Sequence, residues 1–230
     1  MEPTNRNTLS MDGCRMRLYG HGSTVLWLIG EEEAPWLDAL PADAAVVAVS
    51  GMDWDRDLSP WPAPPAFRGR PFSGGAAPYL RRLTEEWMPR AYSEFSLSPV
   101  REGILGYSLA GLFSLWALSR CGRFSLAASV SGSLWYDGFL PWLETHPPVR
   151  RPDRLWFSVG DREKKSRNPR LAAVEDCTRR AAEWARAYSG TVRFELSPGG
   201  HFDQPDQRIL RAVRFLLEAE DGNPGDLENS

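Results

Sequence analysis

At 230 residues, with 42% hydrophobic and 25% charged side chains, the chain has the composition of an ordinary globular protein, which excludes fibrous, disordered and membrane-embedded classes. A formal net charge of -3, with arginines scattered along the chain, gives no basic footprint for nucleic acid. No run approaches the roughly eighteen apolar residues of a membrane span.

One domain over 1–230 is expected, with a core from about 14 to 219 and a polar tail over 221–230. The start, MEPTNRNTLSMDGC, lacks the charged-then-apolar order of a secretory signal, so a cytoplasmic location is expected. Cys14, Cys121 and Cys177 are far apart and lack CxxC spacing. They read as free thiols, and neither a disulfide framework nor a metal site is expected.

In chain order, CRMRLYG (14–20) alternates polar and apolar residues, as in an antiparallel edge strand with one wet face. TVLWLIG (24–30), AAVVAVS (44–50), VREGILG (100–106), FSLAASVS (124–131), RLWFSVG (154–160) and TVRFELS (191–197) are short apolar runs that suit buried strands. Helical spacing fills the gaps at 77–95, 109–121, 169–188 and 206–219, with Asn168-Pro169 as cap and first-turn proline of the third. Strand and helix alternate, so the expected fold is α/β, a mostly parallel central sheet with helices on both faces. Residues 51–76 are too rich in Pro and Gly for a regular element. They read either as a substrate loop or as an excursion packed by its own aromatics.

Residues 106–110 read Gly-Tyr-Ser-Leu-Ala between an apolar strand and a helix, the G-x-S-x-A form of a nucleophile elbow. Such an elbow turns sharply enough to hold the hydroxyl of Ser108 clear of the sheet, and Gly106, Ala110 and Gly111 make room for it. The Leu109 amide, at the start of the helix, is the first expected oxyanion donor. A second is expected from Ser50-Gly51-Met52-Asp53, at Met52.

A serine hydroxyl needs a base, and only three histidines are available. His201, in SPGGHF after the last apolar run, follows the serine in chain order; His21 and His146 read as loop residues. The acid is expected where the run 154–160 ends. Glu163 and Asp161 compete there, Glu163 being preferred, with Asp203 and Asp206 as lesser candidates.

With these residues in place, the chain resembles the α/β-hydrolase superfamily, and within it the esterases related to esterase D and to the enterobactin-esterase type of siderophore hydrolase. The resemblance covers roughly 14–219 and rests on GYSLAG around Ser108, VSGSLWYDGF at 130–139, SVGDREKKSRNP at 158–169 and SPGGHF. It implies an α/β-hydrolase fold, no cofactor, and an acid three residues after the strand-closing glycine, which favours Glu163 over Asp161. It also implies that a Ser-His pair suffices in some relatives.

Trp54, Trp61, Phe67, Trp135 and Tyr136 all fall after strands, where they form either an aromatic substrate wall or loop packing, and Arg56 and Asp57 stand among them. Gly74-Gly75 needs no phosphate to explain it, since a helix starts there. The expected activity is hydrolysis of a small-molecule carboxylic ester through an acyl-enzyme. Acyl transfer, siderophore-lactone hydrolysis and a non-catalytic binding module are the alternatives, and the sequence is silent on oligomeric state.

Overall fold

A computed structural model describes residues 7–31, 34–37, 40–66 and 69–218. The expected tail at 221–230 and Phe67 lie outside the described residues. The strands are β1 (Thr8–Met11), β2 (Cys14–His21), β3 (Thr24–Ile29), β4 (Ala44–Ser50), β5 (Pro62–Ala63), β6 (Phe72–Ser73), β7 (Arg101–Tyr107), β8 (Leu126–Val130), β9 (Arg154–Gly160) and β10 (Thr191–Ser197). Eight of them form one sheet in the order β1-β2-β4-β3-β7-β8-β9-β10, while β5 and β6 pair separately.

From β4 to β10 every neighbouring pair in this sheet is parallel. Strand β2 runs antiparallel to both its neighbours. The antiparallel direction expected for residues 14–20 is therefore found, but not the edge position. The edge belongs to β1, whose four residues TLSM are too short and too polar to register as a strand in the sequence, and which sets Leu9 opposite Met16.

The inner strands are buried on both faces, which is why they read as unbroken apolar runs. Val25, Trp27 and Ile29 of β3 point into one core, Leu26 and Leu28 into the other. The helices are α1 (Trp54–Asp57), α2 (Ala76–Arg82), α3 (Met88–Glu94), α4 (Leu109–Leu118), α5 (Phe139–Thr145), α6 (Pro169–Ala172), α7 (Val174–Arg186) and α8 (Pro205–Leu217). A π-turn at Leu83–Trp87 joins α2 to α3, so the helix expected at 77–95 is one continuous rod. The first core is covered by α2 to α5 and α7, the second by α8 and a short 3-10 turn at Pro35–Leu37.

The helix expected at 169–188 divides at Ala173, whose N–H bonds three residues back to the Arg170 carbonyl in a tight turn. Its cap is as expected: Asn168 Oδ1 accepts from the Arg170 N–H at 3.0 Å, with Pro169 in the first turn. Helices α1 and α5, of four and seven residues, are too brief to leave a periodic signal. Among the described residues no helix is long and apolar enough to cross a membrane.

Candidate active site

Tyr107 ends β7 and Leu109 begins α4, so Ser108 alone makes the turn between them, at φ 57° and ψ -120°. This left-handed backbone is unfavourable for a residue with a Cβ, and the surroundings hold it in place. The Ser108 N–H donates to the Val130 carbonyl at 3.0 Å, and the Ser108 carbonyl accepts from the Ser133 N–H at 3.0 Å. Gly106 permits the sharp turn, because a Cβ there would lie 2.5 Å from Cβ of Ala110. Gly111 lets α4 approach: its Cβ would fall 2.9 Å from the Gly106 carbonyl oxygen.

Strand β10 closes at Ser197, and the turn that follows carries His201 back toward Ser108. Nε2 of His201 lies 3.1 Å from Oγ of Ser108. Nδ1 of the same ring lies 2.7 Å from Oε2 of Glu163, on a 3-10 turn (Glu163–Lys165) just past β9. The turns after β9 and β10 press together, and Gly160 is needed there because a Cβ would meet the Gly199 carbonyl oxygen at 2.3 Å.

Of the two expected acids, Glu163 is thus the one on the imidazole. Asp161 instead braces the histidine turn, its Oδ1 accepting from the Gly199 N–H at 2.9 Å. Asp203 pairs with Arg162 at 3.0 Å, and Asp206 lies in the first turn of α8. Burial raises the Glu163 carboxyl, but the hydrogen bond and charge of His201 and the Gly160 amide outweigh it and hold the group below its ordinary value.

Ser108, His201 and Glu163 line a cavity of about 760 Å³ with mostly apolar walls. Trp54 and Trp135 stand in that wall, with the exposed Phe202 at its rim. Trp61 and Tyr136 do not, and their expected substrate role is corrected. Trp61 packs against Tyr136 at 5.9 Å and Trp142 at 5.8 Å between ring centres, its Nε1 donating to the Asp137 carbonyl. Tyr136 is buried and donates its hydroxyl to the Trp61 carbonyl. Both therefore hold the 51–76 segment to the body through α5. Asp57 is buried as well, accepting from the Asp53 N–H at 2.9 Å and from Nε of Arg56 at 2.9 Å, a structural pairing.

Met52 also falls outside the cavity wall and packs against the core. The reason lies in the strand order. β3, not β4, is the neighbour of β7, with Ile29 opposite Gly106. The loop leaving β3, at Gly30 and Glu31, therefore reaches the mouth of the site, and Glu31 lines it. Burial, with a smaller contribution from Asp206, pushes the Glu31 carboxyl up to about 7.

Several polar residues of the site escape sequence reasoning. Oγ of Ser133 lies 3.3 Å from Oγ of Ser108, and Arg208 reaches in from α8 to Oε1 of Glu163 at 3.0 Å. Ser133 belongs to the VSGSLWYDGF stretch already singled out, whereas Arg208 gives no signal beyond facing inward in an amphipathic helix.

A protein-family model described as "Putative esterase" matches residues 29–203. The chain belongs to the Putative esterase family. This esterase-family segment contains Ser108, Glu163 and His201, while α8 lies beyond it. A curated relative, the uncharacterized protein YbbA of Bacillus subtilis (strain 168), is 27% identical over 115 residues, 48% of this chain and 46% of that protein. The chain thus matches about half the length of this relative.

Among solved structures, the siderophore hydrolase EstA from Aspergillus nidulans superposes with a TM-score of 0.72 at 17% identity, over 94% of this chain and 96% of that one. An IroE-like serine hydrolase from Shewanella oneidensis gives a TM-score of 0.72 at 17% identity, over 88% and 75%. At such identity the likeness is one of fold, and it is the α/β-hydrolase layout that esterase structures share.

Proposed function

We propose that the protein is a serine hydrolase that cleaves carboxylic esters through an acyl intermediate on Ser108. The observation that carries this reading is the unbroken line from Oγ of Ser108 to Nε2 of His201 at 3.1 Å and from Nδ1 to Oε2 of Glu163 at 2.7 Å, at the floor of an apolar cavity.

In the first half-reaction Ser108 Oγ attacks the ester carbonyl while His201 takes its proton, and Glu163 offsets the charge of the imidazolium. The carbonyl oxygen becomes an anion held by the Leu109 amide at the positive end of α4. We assign the second donor to the Glu31 N–H, because β3 borders β7 and the Gly30 N–H already donates to the Val49 carbonyl. The ester C–O bond then breaks, and the alcohol departs with the proton from His201. Water repeats the sequence in reverse: His201 takes its proton, the carboxylic acid is released, and Ser108 recovers its hydrogen.

The cavity's aromatic wall of Trp54, Trp135 and Phe202 favours an acyl or aryl group of moderate size. The siderophore hydrolase among the structural neighbours adds a siderophore ester to the candidates.

The test is labelling by a fluorophosphonate probe together with hydrolysis of p-nitrophenyl and naphthyl esters of graded acyl length and of a ferric-siderophore lactone. Wild type is expected to form the adduct and turn over at least one ester, and Ser108→Ala to do neither. Labelling that survives in Ser108→Ala, or a wild type inert to probe and panel alike, rejects the reading.

A further inference from the structure

We infer that Arg208 is the positioning residue of this site, fixing with one side chain both the acid and the turn that carries the base. The inference rests on the serine-hydrolase reading above. Arg208 is only 1% exposed. A buried guanidinium is tolerated only when well partnered, so what it touches defines its task.

Its partners come from the end of β7 and from the turns that follow β8, β9 and β10. Nη1 donates to Oε1 of Glu163 at 3.0 Å and to Oγ of Ser131 at 2.9 Å, and stands 3.4 Å from the Tyr107 hydroxyl. Nη2 donates to the carbonyls of Pro198 at 3.0 Å and Gly200 at 2.9 Å. Tyr107 in turn donates to the carbonyl of His201. Only a planar fork with several donors can satisfy so many acceptors at once, which a lysine cannot match.

Two consequences follow for the relay. Glu163 Oε1 is occupied by Arg208 and by the Gly160 N–H at 2.7 Å, so Oε2 is the oxygen left to face the imidazole. The histidine turn has its hinge at Gly199, at φ 105°, and Arg208 grips the carbonyls on either side of it.

The third consequence is electrostatic. Other charged or titratable groups face the His201 surroundings: Tyr107 from β7, Glu31 from the loop after β3, Asp161, Arg162 and Lys165 from the turn after β9, Asp203 on its own turn, and Asp206 from α8. Arg208 is the cation that shares Glu163 with the imidazole. One carboxylate is thereby held at both of its oxygens, by the guanidinium at Oε1 and by the imidazole at Oε2.

The test compares Arg208→Gln and Arg208→Lys with wild type, using p-nitrophenyl butyrate hydrolysis over about pH 5 to 9, with a thermal melt on each. Arg208→Gln is expected to lower kcat by about tenfold or more, with KM little changed. Arg208→Lys is expected to restore only part of that kcat, again with KM little changed, because one ammonium cannot reach both turns.

Folded variants with wild-type kcat overturn the inference. So does a fall in kcat in Arg208→Gln that only tracks a lower melting temperature. Should Arg208→Gln not accumulate folded, the lysine variant decides, and full kcat there is the overturning result. Ser108→Ala run alongside separates the two readings. Activity retained in it removes the serine-hydrolase reading, whereas an inert Ser108→Ala beside unaffected Arg208 variants removes only the positioning role.

Discussion

Arg208 and Glu163 form an ion pair closed off from water, Nη1 to Oε1 at 3.0 Å, with side-chain exposures of 1% and 4%. Breaking a pair of this kind by removing one charge is costly, because the other charge stays buried. Glu163→Gln should therefore lower stability near neutral pH by about 3 kcal/mol. The carboxyl titrates below its ordinary value in the fold, so its contribution is present above the unfolded-state value and is lost as pH falls through the depressed folded value. Thermal melts of both proteins from neutral pH down to about pH 3 check this. The gap should close in acid, and a gap independent of pH counts against it.

Glu31 behaves in the opposite sense. Its carboxyl is pushed up to about 7 by burial and then by Asp206, so the fold favours the protonated form. Whatever that form contributes is complete below the unfolded-state value and disappears as pH rises through about 7. Glu31→Gln is expected to leave stability unchanged in acid and to raise it by about 1 kcal/mol above neutrality. Chemical denaturation at an acid and an alkaline pH measures the difference, and equal effects at both would contradict it.

Gly160→Ala places a methyl where the Gly199 carbonyl oxygen already sits, 2.3 Å from the added Cβ. The clash is with backbone, so the histidine turn must move. The expected result is a loss of about 1 to 3 kcal/mol in stability, with esterase activity falling by about a hundredfold. A variant that keeps wild-type turnover would show that the two turns have slack between them.

Trp54 and Trp61 divide the aromatics of the 51–76 segment between two tasks. Trp54 lines the cavity, so Trp54→Ala should raise KM for an aryl ester while costing little stability. Trp61 is ring-packed against Tyr136 and Trp142, so Trp61→Ala should lower the melting point by an amount equivalent to about 3 kcal/mol. Steady-state kinetics paired with melting curves separates them, and a reversal of the two phenotypes would refute the assignment.

Cys14 is buried, and burial, then the charge of Asp57, pushes its thiol up to about 11. It should react with a disulfide reagent only on unfolding, since the thiolate is the nucleophile. Timed labelling of the native protein followed by peptide mapping tests this, and rapid modification of Cys14 ahead of Cys121 would count against it.

Much of this molecule was legible in its residues because the signals are local. A strand buried on both faces must be apolar at every position, so β3, β4 and β7 stood out as runs. Ser108 announced itself through Gly106 and Ala110, whose smallness the turn demands. What escaped depends on strand order, which no short window of sequence encodes. Met52 was expected at the oxyanion because it follows an inner strand, yet β3 lies between that strand and β7. Arg208 is invisible for a similar reason: its side-chain partners Glu163, Ser131 and Tyr107 lie 45, 77 and 101 positions away in the chain.

The distance along the chain between the members of the relay has a kinetic consequence. His201 lies 93 positions from Ser108 and 38 from Glu163; Ser108 and Glu163 sit on connections between parallel strands, and His201 follows β10, which pairs parallel to β9. Parallel pairings close long loops and form late. After dilution from denaturant, helical content should therefore return well before turnover does, and regained hydrolysis marks the moment when the last strands have found their register.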